Sequence, residues 1–484
     1  MLMRACVSAI AVYASLAECQ AQEAAPQSPD TLDALQVEVR ELRQAVSALR
    51  AQVRDLTASR ADAGATTSPP TPQSNPGLTQ NVLPQRVAPL ASNAASDRNS
   101  APANRGPTRE TFNDEVTGVA RPDTEAPPNN PNLRGYFAIP GTETMIRLGG
   151  FAKVNGIYDF SPAGDTESFV TSSIPIGSRK GQNTNISANP TRVSLDVRRP
   201  SALGPLRFYL ESDFVGSSGT DFNLRQAQGQ IGNTYAGYGL SAFMDADALP
   251  ETLDDEGPNS ALFLRVASIR QILKLGGGWT ATLSIEDPSS QLPLPVGATT
   301  EQPMPDLVGA VRMQRKGGHL QLAGVARRIG YRLDETQDST FSWGLALTGL
   351  VTVEGDFVSG GFAYGKGIAR YFNDLGGSGY DGVIGPDGKV HALTGFGGYA
   401  GYTHHWNSTL RSNLVGGLLK LDNDGLLPAT AFRSSRYAAA NLIYQLSPYF
   451  TVGAEGLYGR HQLQNRQDAD AVRLQVSLKY DLVR

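Results

Sequence analysis

Apolar and polar positions fall into three textures along the chain. In residues 32–56, Leu32, Leu35, Val39, Leu42, Val46, Leu49, Val53 and Leu56 recur at intervals of 3-4-3-4-3-4-3. This is the a/d seam of a heptad repeat, with Glu, Arg and Gln filling the other positions. Ser28 or Asp30 begins the helix, and Pro29 suits its first turn. The pattern predicts an α-helical coiled coil over 30–57. A helix lying on a neighbouring domain would need a wider apolar stripe and globular sequence beside it, and neither is present. Val at a and Leu at d lean toward two strands in that coil. From 58 to 134 the chain turns to Pro, Ala, Ser and Asn, as in NPG, APANRGP and EAPPNNPN, without period. Such a segment buries too little surface to offset its ordering entropy and reads as a disordered linker.

From Gly135 to Arg484 the period becomes two. In LRFYLESDFVG, Leu206, Phe208, Leu210 and Phe214 share one parity, and Arg207, Tyr209, Glu211 and Asp213 the other. RLGGFAKVNGIYDF, RVSLDVRR, WTATLSIE and AVRLQVSLKYDLVR alternate in the same way. A β-strand sends successive side chains to opposite faces, so each segment has an oily face and a charged one. The oily face is thin and rich in Gly and Ala, which lipid accepts because it demands no interdigitating partner. Charges in mid-strand would be costly in a dry core and cost little beside water. The prediction is an all-β transmembrane barrel of about 16 antiparallel strands over 135–484, oily side to lipid and charged side to a lumen.

Composition narrows the reading. A net charge of −4 over 484 residues argues against nucleic-acid partners. Arg4 followed by the apolar run Ala5 to Leu16 is a signal peptide, with cleavage after Ala21 in Cys19-Gln20-Ala21, or after Ala17 in Ser15-Leu16-Ala17. Removing 1–21 takes both cysteines, Cys6 and Cys19, with it. Beyond it no run of about 18 apolar residues occurs, which argues against membrane helices.

Within 135–484, GYFAIPGTETMIRLGGFAKVNGIYDF, RFYLESDFVG with FNLRQAQGQIGN, FMDADALPETLDDEGPNSALFLRVASIRQ, PDLVGAVRMQRKGGHLQLAGVARRIGY and GFAYGKGIARYFNDL resemble the DcaP-like outer-membrane porins. The stretch with Pro250-Glu251-Thr252 and Gly257-Pro258 is the most specific of these. The resemblance implies a trimeric 16-stranded channel in the bacterial outer membrane, its coiled coil in the periplasm, passing small and often anionic organic solutes without a cofactor. Arg484 departs from the usual outer-membrane assembly signal, which ends in an aromatic residue.

A selective pore works through clustered charge at a constriction. The pore-lining candidates by parity are Arg147, Lys153, Arg192, Arg198, Arg207, Arg225 and Arg312, with the acids Asp196, Glu211, Asp213 and Glu286 on the same face. Arg270 and Lys274 join them if SIRQILK is one strand, which puts Arg265 at a bulge or loop. For each arginine the competing reading is an ion pair across neighbouring strands that fills the wall. DPSSQLPLPVGATTEQPMPD (287–306) is either a loop folded into the pore or a surface loop.

Four other patterns carry no chemistry. GGFAYGKG lacks the Ser or Thr of a phosphate loop, and DNDG lacks the closing Glu of a calcium loop. His404 and His405, adjacent on a strand, point apart, and no Ser or Cys has a triad spacing. Two functions remain: a porin for small anionic solutes, or a structural barrel anchoring the coiled coil to the cell wall or another periplasmic partner. An outer-membrane enzyme is a weaker third. Deleting residues 30–57 is expected to weaken the homo-oligomer on a heat-modifiability gel while leaving single-channel conductance unchanged.

Overall fold

A computed structural model of the chain describes residues 135–177, 181–215, 221–422 and 425–482. The expected signal peptide, coiled coil (Leu32 to Leu56) and linker lie outside these residues. Sixteen strands make the wall: β1 (Met145–Asp159), β2 (Arg192–Arg199), β3 (Leu206–Asp213), β4 (Asn223–Ile231), β5 (Thr234–Leu240), β6 (Arg265–Gly276), β7 (Trp279–Glu286) and β8 (Asp306–Arg315) in the first half. The second half contributes β9 (Gly318–Leu333), β10 (Thr336–Val353), β11 (Asp356–Lys366), β12 (Thr394–His405), β13 (Leu410–Leu421), β14 (Phe432–Ser447), β15 (Phe450–Leu463) and β16 (Asp468–Asp481). Each pairs antiparallel with the next, and β16 returns to β1 from Phe151↔Asp481 to Asp159↔Arg473, closing the barrel. Short segments add to the wall at Phe137–Ala138, Asn183–Ser187 and Thr299–Glu301.

The period-2 pattern places the faces as the parity argument requires. In β7, Leu283 is 58% exposed and its neighbour Ser284 only 4%. In β16, Val472, Leu474, Val476, Leu478 and Tyr480 face outward, while Arg473, Gln475, Ser477, Lys479 and Asp481 are buried inside. On these strands the hydrophobic residues are the exposed ones and the polar ones are buried, the inverse of a water-soluble domain and the arrangement lipid requires.

Seven connections at one end are short turns; five of them have only two residues, as at 277–278 between β6 and β7. Gly277 and Gly278 hold φ of +57° and +82°, the left-handed pair that a tight hairpin turn needs. Connections at the opposite end are mostly longer. Three of them fold back inside the barrel: 241–264 and 368–376 are almost entirely buried, and 163–174 is buried at Ala163, Ser168 to Thr171 and Ile174.

The inner wall receives them on a strip of small residues. Ala310, Ala323, Ala346 and Ala363 lie opposite one another across β8, β9, β10 and β11, and Gly397 of β12 continues the row. Over this strip sits the largest apolar cluster of the protein, including Phe243, Met244, Leu262, Ile368 and Phe372. The expectation that small residues belong to the lipid side therefore needs correction. Many of them instead make room inside for the chain's own loops.

An arginine at Leu345, half exposed near the middle of β10, is expected to destabilise the barrel by about 2–4 kcal/mol if that position lies in the hydrocarbon midplane. Urea titration in liposomes measures this, with Leu345→Phe as a control that leaves the midpoint unchanged.

Candidate functional site: the barrel interior

Residues 241–264 carry six carboxylates (Asp245, Asp247, Glu251, Asp254, Asp255 and Glu256) and no Lys or Arg. The surrounding wall supplies the partners. At the start of the loop, Ser241 Oγ and the Ala242 N–H donate to Glu286 of β7 at 2.6 and 2.7 Å. Asp245 accepts from Arg312 at 3.0 Å, and from His319 and Thr348 at 2.8 Å, on β8, β9 and β10. Burial alone would raise the Asp245 carboxyl; the hydrogen bond from His319 and the charge of Arg312 hold it well below the ordinary aspartate range. Asp247 takes a second arm of Arg312 at 2.6 Å. Farther along, Arg411 of β13 grips Glu251 through two bonds of 2.8 and 2.7 Å. Lys153 of β1 reaches Asp255 at 2.7 Å and the Leu253 carbonyl at 2.8 Å. The loop thus crosses the lumen from β7 and is bolted to strands on both sides of the β1–β16 seam.

Close approach replaces side chains where the loop touches the wall. A Cβ at Gly401 would stand 2.3 Å from Pro250 Cβ, and one at Gly417 would stand 2.4 Å from Asn259 Oδ1. While the loop is seated, a side chain at Gly401 would overlap the Pro250 ring, and one at Gly417 would have to displace the buried Asn259 side chain.

The sequence-predicted residues gather on the remaining wall. Arg192, Glu211, Asp213 and Arg225 form one cluster. Arg225 donates to Glu211 and Asp213 at 2.7 Å each, and Arg192 lies 3.6 Å from Glu211. A second cluster joins Asp196 to Arg207 at 2.7 Å and Arg198 at 3.1 Å. Arg270 contacts the Leu240 carbonyl at 2.5 Å and lies 3.9 Å from Glu286. Lys153 and Arg312 stand apart from these clusters as anchors of the loop. Arg147 of β1 lies opposite Asp196 of β2 in the strand register, its guanidinium 6.0 Å from the Tyr136 ring. Arg147, Arg198 and Arg312 are half-buried, and the other candidates are buried. For most of the arginines, then, the ion-paired wall is what the geometry gives.

Three expectations change. SIRQILK is one strand, but Arg265, expected at a bulge or loop, is the first residue of β6; it is buried, with its guanidinium 4.7 Å from the Phe263 ring. Strand parity failed there because the chain is still leaving the inward loop. Lys274, offered with Arg270, is exposed beside a register shift at the turn end of β6. Segment 287–306, left open between pore and surface, divides between them: the Ser289 carbonyl accepts from the buried Arg327 and Arg370, and Leu292 packs on the inward-facing Ile329 and Tyr331, while Val296 is fully exposed and Thr299–Glu301 pairs with the end of β9. The loop that crosses the lumen is 241–264, whose acidic composition reads as surface. Asp356 lies 2.7 Å from His404 Nδ1 and accepts from the backbone N–H of His405 at 2.9 Å.

The sequence profile of a porin subfamily matches residues 134–483. No curated protein sequence matches the chain. Among solved structures, the outer-membrane channel DcaP of Acinetobacter baumannii is similar with a TM-score of 0.64 at 21% identity, over 72% of this chain and 99% of that one. An anion-selective porin from Comamonas acidovorans gives 0.48 at 13% identity, over 70% and 100%. OmpT of Vibrio cholerae in its trimer form gives 0.43 at 8%, over 70% and 99%.

Gly401→Val is expected to unseat the long loop at an overpacking cost of about 1–3 kcal/mol. Because the loop has no Lys or Arg, the readout is cleavage by a glutamate-specific protease at Glu251 and Glu256, absent in the parent and present in the variant.

Proposed function

The chain belongs to the porin subfamily, and from that premise we propose that it is an outer-membrane porin passing small organic solutes, anionic ones preferentially, by passive diffusion. The observation that carries the channel reading is the inverted barrel: a continuous oily exterior around a wall of guanidinium and carboxylate groups. Such a wall is stable only where water or fixed counter-charges meet it, and a gradient across it needs no cofactor.

The anion preference is supported by the arithmetic of β2 to β7. Arg192, Arg225 and Arg265 gather about Glu211 and Asp213, while Arg198 and Arg207 share Asp196. With Arg270 of β6 beside Glu286 of β7, six guanidinium groups thus face four carboxylates on that side. Four of the six acids of the inward loop are held elsewhere: Asp245 and Asp247 by Arg312, Glu251 by Arg411 and Asp255 by Lys153. A field of one sign along one wall steers the opposite charge along it.

A homo-oligomer, trimeric by resemblance to the DcaP-like family, fits the uneven wall. β2, β3 and β5 have 8, 8 and 7 residues, against 16, 18 and 16 in β9, β10 and β14. A tilted strand needs about 9–11 residues to cross the hydrocarbon. Another copy covering the low wall would spare it a poor match to lipid. Nothing in the described residues favours the anchor reading over the channel.

The test is the reversal potential in a planar bilayer under a KCl gradient. The parent is expected to be anion-selective. Arg147→Gln with Arg198→Gln, both half-buried, should lower the chloride-to-potassium permeability ratio by about twofold or more. A cation-selective parent, or a variant unchanged in ratio, would count against the anion preference while leaving the porin in place.

A further inference from the structure

The three inward loops meet at one place. Asp374 of 368–376 accepts from the Thr171 hydroxyl and, at 3.0 Å, from the Ser172 N–H, both of 163–174. Ser172 Oγ also donates to the Asp374 carbonyl at 2.6 Å. Asp254 of the long loop accepts from the Phe169 N–H at 3.0 Å. Asn373 donates its side-chain amide to the Glu256 carbonyl and its N–H to the Ala261 carbonyl. Leu262 and Phe372 pair as an isolated bridge. Glu455 of β15 takes the Leu253 and Asp254 N–H groups at 3.0 and 2.8 Å, fastening the knot to the wall.

Four carboxyl groups, Asp254, Glu256, Asp374 and Glu455, therefore crowd a region where none is more than 4% exposed. All four act electrostatically on Tyr437 of β14, which is buried among them. The cations that face the region are committed. Arg473 of β16 holds Asp159 at 2.6 Å, and Lys153 of β1 holds Asp255 at 2.7 Å. His461 of β15, at the margin, bonds the Ile174 carbonyl through Nδ1 at 2.9 Å. Among the described residues no group of three or more acidic, His or Cys side chains is placed to hold a metal ion. Three of them, Asp254, Asp374 and Glu455, are bonded to hydroxyl, amide and backbone N–H groups rather than to a cation, and carboxylates buried together in this way cannot all be ionised.

We propose that the knot is a proton lock: Asp254 and Asp374 carry protons while the three loops are seated, and losing those protons loosens the loops and widens the pore. This rests on the porin reading and adds its regulation. Burial pushes the Asp254 carboxyl up to about 6, with Asp255 adding to the effect and Arg473 opposing it. Burial likewise pushes Asp374 up to about 7, against the hydrogen bonds from Thr171 and Ser172. Below the ordinary aspartate value of 3.8, seated and released loops are both protonated and the seat keeps its full advantage. As pH rises through about 6 to 7 the seated carboxyls ionise and that advantage is lost.

Single-channel conductance of the full-length protein, compared at about pH 4.5 and about pH 8 in the same salt, is expected to rise at least about twofold. Asp254→Asn with Asp374→Asn, which keeps His461, Glu256 and Glu455, should stay at the acid level at both pH values. A parent with pH-independent conductance, or a double variant that retains the full rise, would overturn the lock. Hydrogen exchange of the 253–263 amides in the parent, corrected for its intrinsic pH dependence, decides the matter if the variant fails to fold. Faster exchange at the higher pH supports the lock, and equal exchange overturns it. Absence of channels at every pH would instead overturn the porin reading, and the exchange measurement would still decide the lock.

Discussion

The structure depends on the pairing of β1 with β16. A strand edge facing hydrocarbon leaves amide and carbonyl groups without partners, at several kcal/mol for each. The nine residue pairs from Phe151↔Asp481 to Asp159↔Arg473 remove that edge. β1 serves both neighbours by dividing its length: Met145 to Phe151 pairs with β2, and Phe151 to Asp159 with β16. A side-chain link reinforces the seam. Arg473 on β16 grips Asp159 on β1 through bonds of 2.6 and 3.1 Å, both residues buried inside the barrel.

Once the wall is closed, the interior becomes the protein's core, and it is built in two styles. Along β8 to β12 it is dry, with a strip of alanines and glycines under the Phe243, Leu262, Ile368 and Phe372 side chains. Along β2 to β6 it is ionic, with Arg225 bridging Glu211 and Asp213, and Arg207 on Asp196. The acidic loop belongs to the first region by its apolar residues. Its carboxylates hold it in place through Arg312, Arg411 and Lys153. Porin membership and the inverted faces agree that solute passes on the inside.

Much of this was legible in the sequence. Strand alternation depends only on the two-residue repeat of the backbone, so Leu206 and Arg207, or Leu474 and Arg473, could be assigned to opposite faces without knowing any partner. Ion pairing among the lumen arginines could be posed but not decided, because Arg225 meets Glu211 and Asp213 only through the register of β3 with β4, where a shift falls after Glu211. The inward loop was hidden for a different reason. Six acids, two prolines and a glycine are the composition of a solvated surface segment, and their cations come from strands far away in the chain. A signal did exist in the small residues at the inward parity of β8 to β12. Ala310, Ala323, Ala346 and Ala363 become a single strip only when the strands are set side by side.

The seat of the long loop also dictates an order of events. Leu253 and Asp254 bond to Glu455, 202 and 201 residues later in the chain, and the Leu253 carbonyl accepts from Gln475, 222 residues later. Contacts that distant form late in folding, because the intervening chain must first be placed. β5 and β6, joined by this loop, can pair with each other before β15 and β16 are in place. The loop between them must wait, still unseated, while the last strands are added. The barrel therefore closes around an interior not yet filled, and the channel narrows to its final bore only after the seam is complete.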